Sequence, residues 1–511
     1  MLTTQSLRAS SYNIYVDLPS DQPNALLVHG YTGAYDIVSR EVCAYVRSLE
    51  ASPPPKPLYG QWEVEPSTLP RGYRPADITL ATLARRGYLT DKSIAEEEAL
   101  FVKIVNNLHR SQTQSSSLSY IVMPTYSCNL RCAYCFQDHM RTDLTYSHLL
   151  RTMSTEMADR ILSAIPNIEN LHLPSADSDQ PRSFTFFGGE PLLRESFPLI
   201  QYFMQRARLD GRASFGAITN GTDLDAYQEV LGPNGIAFLQ ITLDGPRDLH
   251  DERRIYADKS GSFEKISRNI SMALDMGVEV SVRINVDRRN IASLPELADH
   301  YIRAGWTGHD NFSAYVAPIT DAEVHNGGRR HELFNSWELS DAMASLRLNH
   351  ESIAAISPVD DALKQRALDI FNSGASGFST RTSFCGAHTG MYIFDAFGDI
   401  YACWEKTGEK NLRVGFIDNA GKVTLNGLNE HWRQRTVATN STCRRCRFAL
   451  HCGGGCAILA EAASGTMYSN YCDAFGKRFR GKIAEAFADY AKGAAQDERG
   501  VRSAHMQEFV R

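Results

Sequence analysis

The sequence predicts an α/β protein built on a parallel β-sheet, because from residue 120 onward short apolar β-type runs alternate with helical stretches. Two further observations bear on this prediction. The chain has 511 residues, which at roughly 150 residues per domain suggests about three domains. Ten of its 11 cysteines fall in two groups, at 128–135 and 385–472. A chain this long does not need disulfides for stability, so these cysteines indicate metal or redox chemistry.

The first 115 residues are predicted to form a small α+β domain and a linker, without an evident catalytic motif. A packing or dimerisation role would be sufficient to explain it. The predicted elements are strands at 12–18 and 25–29, a turn at 31–34, and helices at 39–49 and 80–89, the second ending at Gly87. Two breaks rich in Pro, or in Ser and Gln, are predicted to be a loop at 51–57 and a linker at 111–117.

The next 200 residues contain six predicted strands, at 120–125, 183–187, 214–219, 237–243, 278–286 and 312–317. Between the first two, apolar side chains repeat every four residues and predict one face of an amphipathic helix: Leu149, Met153, Met157, Ile161 and Ile165. The alternation allows an open doubly wound sheet or a partial barrel, and periodicity does not distinguish them. In both architectures ligands bind at the carboxyl ends of the strands.

Charge and hydropathy narrow the range of partners. The net charge is -6 and no long basic run is present, which gives no support for a nucleic acid partner. No apolar run reaches about 18 residues, so a membrane partner is not expected. The first residues lack the charged-then-apolar order of a secretory signal, which favours the cytoplasm. A small molecule or a peptide is therefore the expected partner.

The first cysteine group follows the first of the six strands, and its members are Cys128, Cys132 and Cys135. Three thiolates spaced C-x3-C-x2-C can bind three irons of a [4Fe–4S] cluster and leave the fourth iron without a protein ligand. The alternatives are a zinc knuckle or three buried thiols. Structural zinc prefers four ligands, and no fourth Cys or His lies nearby in sequence.

Polar residues follow the next three predicted strands. At the end of the second strand, Gly188 and Gly189 would let the backbone approach a ligand closely, and the carboxylate of Glu190 could bind an ammonium group. Asn220 and Thr242 lie at the ends of the third and fourth strands. The candidate partners for a carboxylate or phosphate are Arg254 and Arg283, for which surface ion pairs are the alternative.

These features resemble the radical S-adenosylmethionine (SAM) enzymes. The cysteine loop with Tyr134 before its last Cys looks like that superfamily's cluster loop, and Gly188-Gly189-Glu190 is similar to its methionine-amine site. The resemblance covers about residues 119–320 and implies a partial (β/α)6 TIM-like barrel. It also implies that SAM chelates the open iron, and that a 5′-deoxyadenosyl radical takes a hydrogen atom from the substrate. By the same resemblance, the residues that would contact SAM are Tyr134, Asn220, Thr242, Arg254 and Arg283.

The second cysteine group is similar to the SPASM extension, a C-terminal domain of radical SAM enzymes that carries two auxiliary clusters. By this resemblance an outer [4Fe–4S] cluster would be held by Cys443, Cys446, Cys452 and Cys472. An inner cluster with an open iron site would be held by Cys385, Cys403 and Cys456. We hypothesise that this iron binds a substrate atom or accepts an electron. Taken without the resemblance, the central segment also suits a zinc ribbon.

The resemblance extends to peptide (RiPP) maturases, many of which begin with a winged-helix-like domain that recognises a leader peptide. The expected function is therefore hydrogen abstraction from a ribosomally made precursor peptide, which installs a C–S, C–C or C–O cross-link. Its partners would be that peptide with its leader and an external reductant of the flavodoxin or ferredoxin type. Sulfatase maturases have an aspartate after the second SPASM cysteine, whereas this chain has Trp404 after Cys403, which disfavours formylglycine formation.

Two alternatives to this function remain: formylglycine-type or other side-chain oxidation, and a non-catalytic zinc-ribbon scaffold that binds a peptide. Candidates for a general base are Glu405, Asp244 and Asp395.

The expected domains are a leader-recognition domain with linker at 1–115, the radical SAM partial barrel at 119–330, a bridging segment at 331–380, the SPASM domain at 381–480 and a C-terminal helix and tail at 481–511.

Overall fold

The structure is a computed structural model that describes residues 7–18, 24–50, 69, 71–115, 118–172, 181–320 and 332–497. Its strands are β1 (Arg8–Ala9), β2 (Asn13–Asp17), β3 (Asn24–His29), β4 (Tyr35–Ser39), β5 (Leu89–Thr90), β6 (Ser119–Val122), β7 (Leu130–Cys132), β8 (Arg182–Phe186), β9 (Ala213–Thr219), β10 (Ile236–Thr242), β11 (Arg254–Tyr256), β12 (Glu279–Val286), β13 (Phe312–Pro318), β14 (Met391–Phe394), β15 (Asp399–Tyr401), β16 (Gly415–Ile417) and β17 (Val423–Leu425).

The α-helices are α1 (Arg40–Ser48), α2 (Asp77–Arg86), α3 (Ile94–Ser115), α4 (His139–Thr142), α5 (Thr155–His172), α6 (Phe197–Leu209), α7 (Arg247–Arg253), α8 (Phe263–Asp275), α9 (Leu294–Arg303), α10 (Ser336–Asn349), α11 (Asp361–Ser373), α12 (Gly427–Gln434), α13 (Ser441–Arg444), α14 (Ala449–Cys452), α15 (Ala457–Ser464) and α16 (Phe475–Asp497). Within the described ranges, no helix is long and apolar enough to cross a membrane.

The chain forms two compact units. The first unit combines Met1–Ser111, Asp360–Cys385 and Arg435–Arg511, and the second combines Gln112–Val359 and Gly386–Gln434. Both units are therefore assembled from segments that are distant in sequence.

The second unit is organised around a ten-stranded sheet with the order β13-β12-β10-β9-β8-β6-β14-β15-β16-β17. Six strands of this sheet pair in parallel, and each lies beside the one that precedes it in the series β6, β8, β9, β10, β12 and β13. A doubly wound sheet would reverse its strand order at one point, whereas this order progresses in one direction. The partial barrel that the resemblance implied is therefore the observed architecture.

Strand β14 extends this sheet on the other side of β6, where it pairs in parallel. Strands β15, β16 and β17 then follow as an antiparallel meander. The segment that carries Cys403 comes directly after β15, so the sheet positions this cysteine.

Helix α5 covers one face of the barrel sheet and corrects one sequence expectation. Met157, Ile161 and Ile165 lie on its buried face as predicted, but Leu149 and Met153 precede the helix. The hydroxyl of Ser154 accepts from the backbone N–H of Met157 at 3.2 Å and so starts the helix after these residues. Leu149 and Met153 are nevertheless buried.

The first unit contains a three-stranded antiparallel sheet, β2-β3-β4, which is buried on both faces. Alternate residues point to opposite faces, as expected of strands. On one face, Tyr15 and Leu27 pack with apolar residues of α1 and α2. On the other face, Ile14 and Leu26 pack with phenylalanines of α11 and α16. The sheet is thus an internal layer of this unit.

Three predictions in the N-terminal region differ from the structure or lie outside the described residues. The residues predicted as a linker at 111–117 continue helix α3 as far as Ser115, and 116–117 lie outside the described residues. The predicted loop at 51–57 also lies outside them. The helix predicted at 80–89 ends at Arg86, because Gly87 adopts a left-handed conformation with φ of 94°, and Leu89 then enters β5.

Candidate active site

The cysteine loop leaves the carboxyl end of β6, and the structure brings its three thiols together. The neighbouring Cys128 and Cys135 both contribute to raising the pKa of Cys132. Cys132 is buried, and the other two are half-buried. The short strand β7 within the loop pairs with β11 and places Cys132 opposite Arg254. A backbone ladder therefore fixes the middle cysteine, while the outer two lie outside the strands and helices.

Polar and cationic groups surround these thiols. Arg141 Nη2 donates to Cys135 Sγ at 3.1 Å, and Asn220 Nδ2 lies 3.8 Å from Cys128 Sγ. Burial raises the pKa of Cys128 to about 11 and that of Cys132 to about 12, and the positive charges of Arg141 and Arg254 oppose these shifts. Three soft sulfur ligands beside hydrogen-bond donors and buried cations form a donor set that fits a [4Fe–4S] cluster.

The segment Gly188-Gly189-Glu190 follows β8 and packs against the backbone of the cysteine loop. Gly189 N–H donates to Thr125 O at 3.1 Å, and Glu190 N–H donates to Ser127 O at 2.8 Å. A Cβ atom at Gly188 would lie 2.5 Å from Thr125 O, and Gly188 has a φ of 140°. Both glycines are therefore required by the close approach of two backbone segments, a reason that the sequence alone did not reveal.

Replacing Gly189 with Ala should destabilise the cysteine loop. The added Cβ would lie 2.3 Å from the carbonyl oxygens of Ser127 and Tyr126, and backbone atoms cannot rotate away. We expect a loss of about 1–3 kcal/mol in the free energy of unfolding and a lower iron content. Chemical denaturation and iron analysis would measure both. Gly308→Ala is the matched control, since no atom lies within 4 Å of its Cβ; equal behaviour of the two variants would contradict the argument.

The carboxylate of Glu190 is 2% exposed and is bound by groups of the chain itself. Its Oε1 accepts from Thr219 Oγ1 at 2.5 Å and from Leu192 N–H at 2.9 Å, and its Oε2 accepts from Asn220 N–H at 2.6 Å. Burial raises its pKa to about 7, although these hydrogen bonds lower it. Since each oxygen can accept two hydrogen bonds, only Oε2 keeps capacity for another donor such as an ammonium group.

Tyr134 belongs to a buried polar network at the ends of β10 and β12. Its hydroxyl donates to Asp244 and accepts from Arg254 Nη1 at 2.6 Å and from Asn285 Nδ2 at 3.0 Å. Asp244 Oδ1 also accepts from the backbone N–H of Asn285 at 3.0 Å. The phenol of Tyr134 and one edge of Arg254 are therefore bound to each other beside Cys132.

The remaining predicted SAM contacts lie on the neighbouring strands. Thr242 of β10 and Arg283 of β12 are register partners, and Arg283 Nε donates to Asn285 Oδ1 at 2.8 Å. Asn220 Nδ2 donates to Asn129 Oδ1 of the cysteine loop at 2.8 Å. Asn220 and Thr242 are buried at strand ends, and Arg283 is half-buried.

Two aromatic rings stand near the strand ends of the same unit. Phe187 directly precedes Gly188, and its ring centroid is 5.9 Å from that of Trp404, which follows Cys403. Trp404 is 37% exposed. Glu405, the next residue, is half-buried.

Asp395 is another candidate base, and in the structure it is buried and hydrogen-bonded within the chain. It is 1% exposed and accepts from Tyr126 Oη at 3.1 Å and from the backbone N–H groups of Phe397 and Asp399, each at 2.9 Å. Burial raises its pKa to about 7. It therefore links the turn between β14 and β15 to the start of the cysteine loop.

The second cysteine group lies mostly in the first unit, where four of its thiols converge. Burial raises the pKa of Cys443 well above its usual value, and the neighbouring Cys446, Cys452 and Cys472 raise it further. The backbone N–H of Tyr471 donates to Gly454 O at 3.1 Å, which holds the loop of Cys472 against the loop that follows Cys452. These four residues are the set that the resemblance assigns to an outer cluster.

Arg435 is buried among thiols of this unit. Its charge interacts with Cys443, Cys456, Cys385 and Cys452, while burial lowers its pKa. Its Nη2 donates to Ser469 O at 3.0 Å, and its Nε donates to Met467 O. Cys385 and Cys456 therefore lie in the first unit, whereas Cys403 belongs to the second.

Among the residues that the structure describes, no group of three or more His, Cys, Asp or Glu side chains is arranged to hold one metal ion. A [4Fe–4S] cube requires a different arrangement, because each thiolate binds a different iron.

Sequence reasoning missed two contributors to the site. Arg141 lies six residues after Cys135 in a region without a recognisable pattern, so no feature of the sequence pointed to it. Asn285 occupies an alternating position of β12 two residues beyond Arg283, and the same alternation that selected Arg283 would have selected it.

The fold and the site define a radical SAM enzyme, and comparison with known proteins supports this class. Residues 122–300 match the family model described as Radical SAM superfamily. Residues 122–300 therefore form a radical SAM domain, and the predicted enzyme class, fold class and cofactors, [4Fe–4S] and SAM, are confirmed.

More specific similarities are to maturases. The chain is 22% identical to the cysteine-type anaerobic sulfatase-maturating enzyme of Clostridium novyi (strain NT) over 383 residues, which cover 72% of this chain and 96% of the relative. It is 22% identical to the mycofactocin maturase of Mycolicibacterium smegmatis over 338 residues, 65% of this chain and 76% of the relative. A solved structure described as "native anSMEcpe with bound AdoMet and Cp18Cys peptide" superposes with a TM-score of 0.53 at 18% identity, covering 74% of this chain and 99% of that one.

Proposed function

We propose that the protein is a peptide maturase that abstracts a hydrogen atom from a ribosomally made precursor peptide and installs an oxidative C–S, C–C or C–O cross-link. The observation that supports this most is that one chain combines the three-thiol loop at the barrel strand ends with four converging thiols in its first unit. Relatives whose names describe maturases are consistent with it. A substrate held at the strand ends would lie near the first thiol group.

The residues of the cysteine loop would hold the cluster, and the polar strand ends would orient SAM. When bound, these cofactors supply one-electron chemistry that removes a hydrogen atom from carbon. Cys128, Cys132 and Cys135 provide the thiolates. The free capacity of Glu190 Oε2 suits the amine of SAM, and the buried guanidinium of Arg254 suits its carboxylate. The rings of Phe187 and Trp404 would exclude water from the reacting region.

A cross-link removes two hydrogens from the peptide. One leaves as the abstracted atom, and the other leaves as a proton and an electron, so an electron acceptor is required. We assign that role to auxiliary clusters held by the second cysteine group. The outer set would be Cys443, Cys446, Cys452 and Cys472, and the inner set would be Cys385, Cys403 and Cys456. Iron and sulfide analysis of a triple variant of the inner set would test its assignment.

The first unit would recognise the leader of the peptide. It contains a three-stranded antiparallel sheet whose outer strands are β2 and β4, and extended peptides can add to such edges through main-chain hydrogen bonds. The electron for the cluster of the cysteine loop would come from an external reductant of the flavodoxin or ferredoxin type.

High-resolution mass spectrometry would test the proposed function. A short peptide encoded beside this gene would be co-expressed with the enzyme or with its Cys128→Ala variant. We expect the loss of two hydrogens per modified site with the native enzyme and none with the variant. An unchanged peptide mass, from an enzyme that contains iron and cleaves SAM, would contradict a peptide cross-linking function for that substrate.

Formylglycine formation is the second candidate, and the similarity to sulfatase-maturating enzymes favours it. The residue after Cys403 argues against it, because Trp404 stands where those enzymes are expected to have an aspartate base. A hydrazide probe distinguishes the two, since formylglycine is an aldehyde and a cross-link is not. Labelling of a sulfatase-derived peptide after incubation with the enzyme would establish this second function.

A further inference from the structure

The cysteine loop contains a buried cation that the proposed function has not yet used. Arg141 lies in the short helix α4, directly after the loop, and its side chain is 2% exposed. Its Nη2 donates to Cys135 Sγ at 3.1 Å, and its Nη1 donates to Tyr126 O at 3.5 Å. The guanidinium therefore joins the third cysteine to the residue at which the loop begins.

The possible counter-charges of Arg141 are a thiol and a carboxylate. Cys135 Sγ lies 3.1 Å from Nη2. The carboxylate of Asp138 lies 3.7 Å from Nη2 and is 36% exposed. Arg141 Nε is buried and has no hydrogen-bond partner among the described residues. A buried cation is costly unless an anion compensates it, which makes the Cys135 thiolate, the nearer of the two groups, its principal counter-charge.

Two other arginines near the loop have different contacts. Arg131 donates through Nη1 to the carbonyl oxygens of Cys128 and Leu130, at 2.8 and 2.9 Å. Arg254 donates through Nη1 to Tyr134 Oη. Of these three arginines, Arg141 is the one whose guanidinium donates to a thiol in the described structure.

We propose that Arg141 sets the reduction potential of the [4Fe–4S] cluster held by Cys128, Cys132 and Cys135. Hydrogen bonds to the sulfurs and net charge are main determinants of such potentials. One-electron reduction makes the cluster and its thiolates more negative by one unit. A fixed cation that donates to a thiolate stabilises this reduced form more than the oxidised form, so it raises the potential. Arg141 is thus a positioning residue that makes reduction easier for the external electron donor.

This inference rests on the cysteine assignment proposed above, and its test does not involve the peptide. The full-length enzyme and its Arg141→Gln variant would be reconstituted anaerobically and titrated with dithionite while the cluster is followed by electron paramagnetic resonance. The cluster of the loop is identified as the one whose spectrum changes when SAM is added. In the variant, the ratio of reduced to oxidised cluster at a fixed potential should fall at least tenfold, which is about 59 mV for a one-electron couple.

Two variants serve as controls. Arg160→Gln removes one positive charge from α5, where the guanidinium donates to Asn419 Oδ1 at 2.9 Å, and should change the ratio less than twofold. Arg141→Lys keeps the positive charge. The logarithm of the ratio of reduced to oxidised cluster should therefore change by no more than half as much as in Arg141→Gln. A change of less than twofold in Arg141→Gln, with native iron content, would overturn the inference.

A further variant tests the inference even if Arg141→Gln fails to assemble its cluster. Asp138→Asn removes the carboxylate that shares the charge of Arg141, so the freed guanidinium should raise the ratio of reduced cluster at least twofold. No change in this variant would overturn the inference even if Arg141→Gln does not assemble a cluster. Failure of the cysteine assignment gives a different result, because Cys128→Ala would then keep its full iron content and its SAM-dependent spectrum.

Discussion

The Cys132→Ala variant should lose about four irons per chain and more than about 100-fold of the rate at which SAM is reductively cleaved. Cys132 is the most enclosed of the three thiols, and the pairing of β7 with β11 fixes its position opposite Arg254. The partial barrel does not depend on this side chain, so the variant should fold. Anaerobic iron analysis and quantification of 5′-deoxyadenosine would measure the two losses.

Cys43→Ala provides the matched control for this variant. Cys43 is buried in α1 among apolar residues, and its thiol has no partner in either cysteine group in the described structure. Its replacement should leave iron content and SAM cleavage at the native level, at a modest cost in stability. If Cys132→Ala retained the iron and activity of Cys43→Ala, the loop would not hold the catalytic cluster.

The strands of the barrel could be predicted closely because each is a short apolar run bounded by polar or turn residues. Strand β9, for example, was expected at 214–219 and is observed at Ala213–Thr219. Their order could not be predicted, because hydrophobic periodicity describes one strand at a time. Only the pairing of β6 with β8 and of each later strand with its predecessor excludes the doubly wound alternative.

The three cysteines of the loop could be predicted as cluster ligands from their spacing, since they are close in sequence, and their role as ligands stays a prediction. The environment of Glu190 could not, because its partners Thr219 and Asn220 lie about 30 residues away on another strand end. Arg141 was missed for a related reason: a single arginine on a short helix has no pattern, and its meaning comes from its contact with Cys135.

Contacts between segments that are distant in sequence also limited the prediction of the N-terminal region. Sequence patterns treated residues 1–115 as a separate module, whereas the hydroxyl of Tyr12 donates to the backbone carbonyl of Arg444. Apolar residues of α3 and of the segment around Cys443 share one core cluster. The end of helix α3 was predicted to be a linker because the run at 111–117 has a polar composition. A contact between residues more than 400 positions apart cannot be detected in local hydrophobic periodicity.

The second large effect concerns Cys452. Its thiol belongs to the converging set of the first unit and lies at the end of α14. The Cys452→Ala variant should lose about four irons per chain and most of the cross-linked peptide, while SAM cleavage in the absence of peptide stays within about tenfold of native. The reason is that, in the proposed function, SAM cleavage depends on residues of the second unit, whereas bond formation also requires an acceptor for the second electron.

Iron analysis, 5′-deoxyadenosine and peptide mass, measured on the same preparations, would separate these steps, with Cys43→Ala as the control from the same unit. Native yield of cross-linked peptide from Cys452→Ala would show that the second electron does not leave through this set of thiols. Zinc in place of iron at these residues would contradict the auxiliary cluster directly. A variant that cleaves SAM but releases unmodified peptide would instead show that hydrogen abstraction and electron removal are carried out by different cysteine groups of one chain.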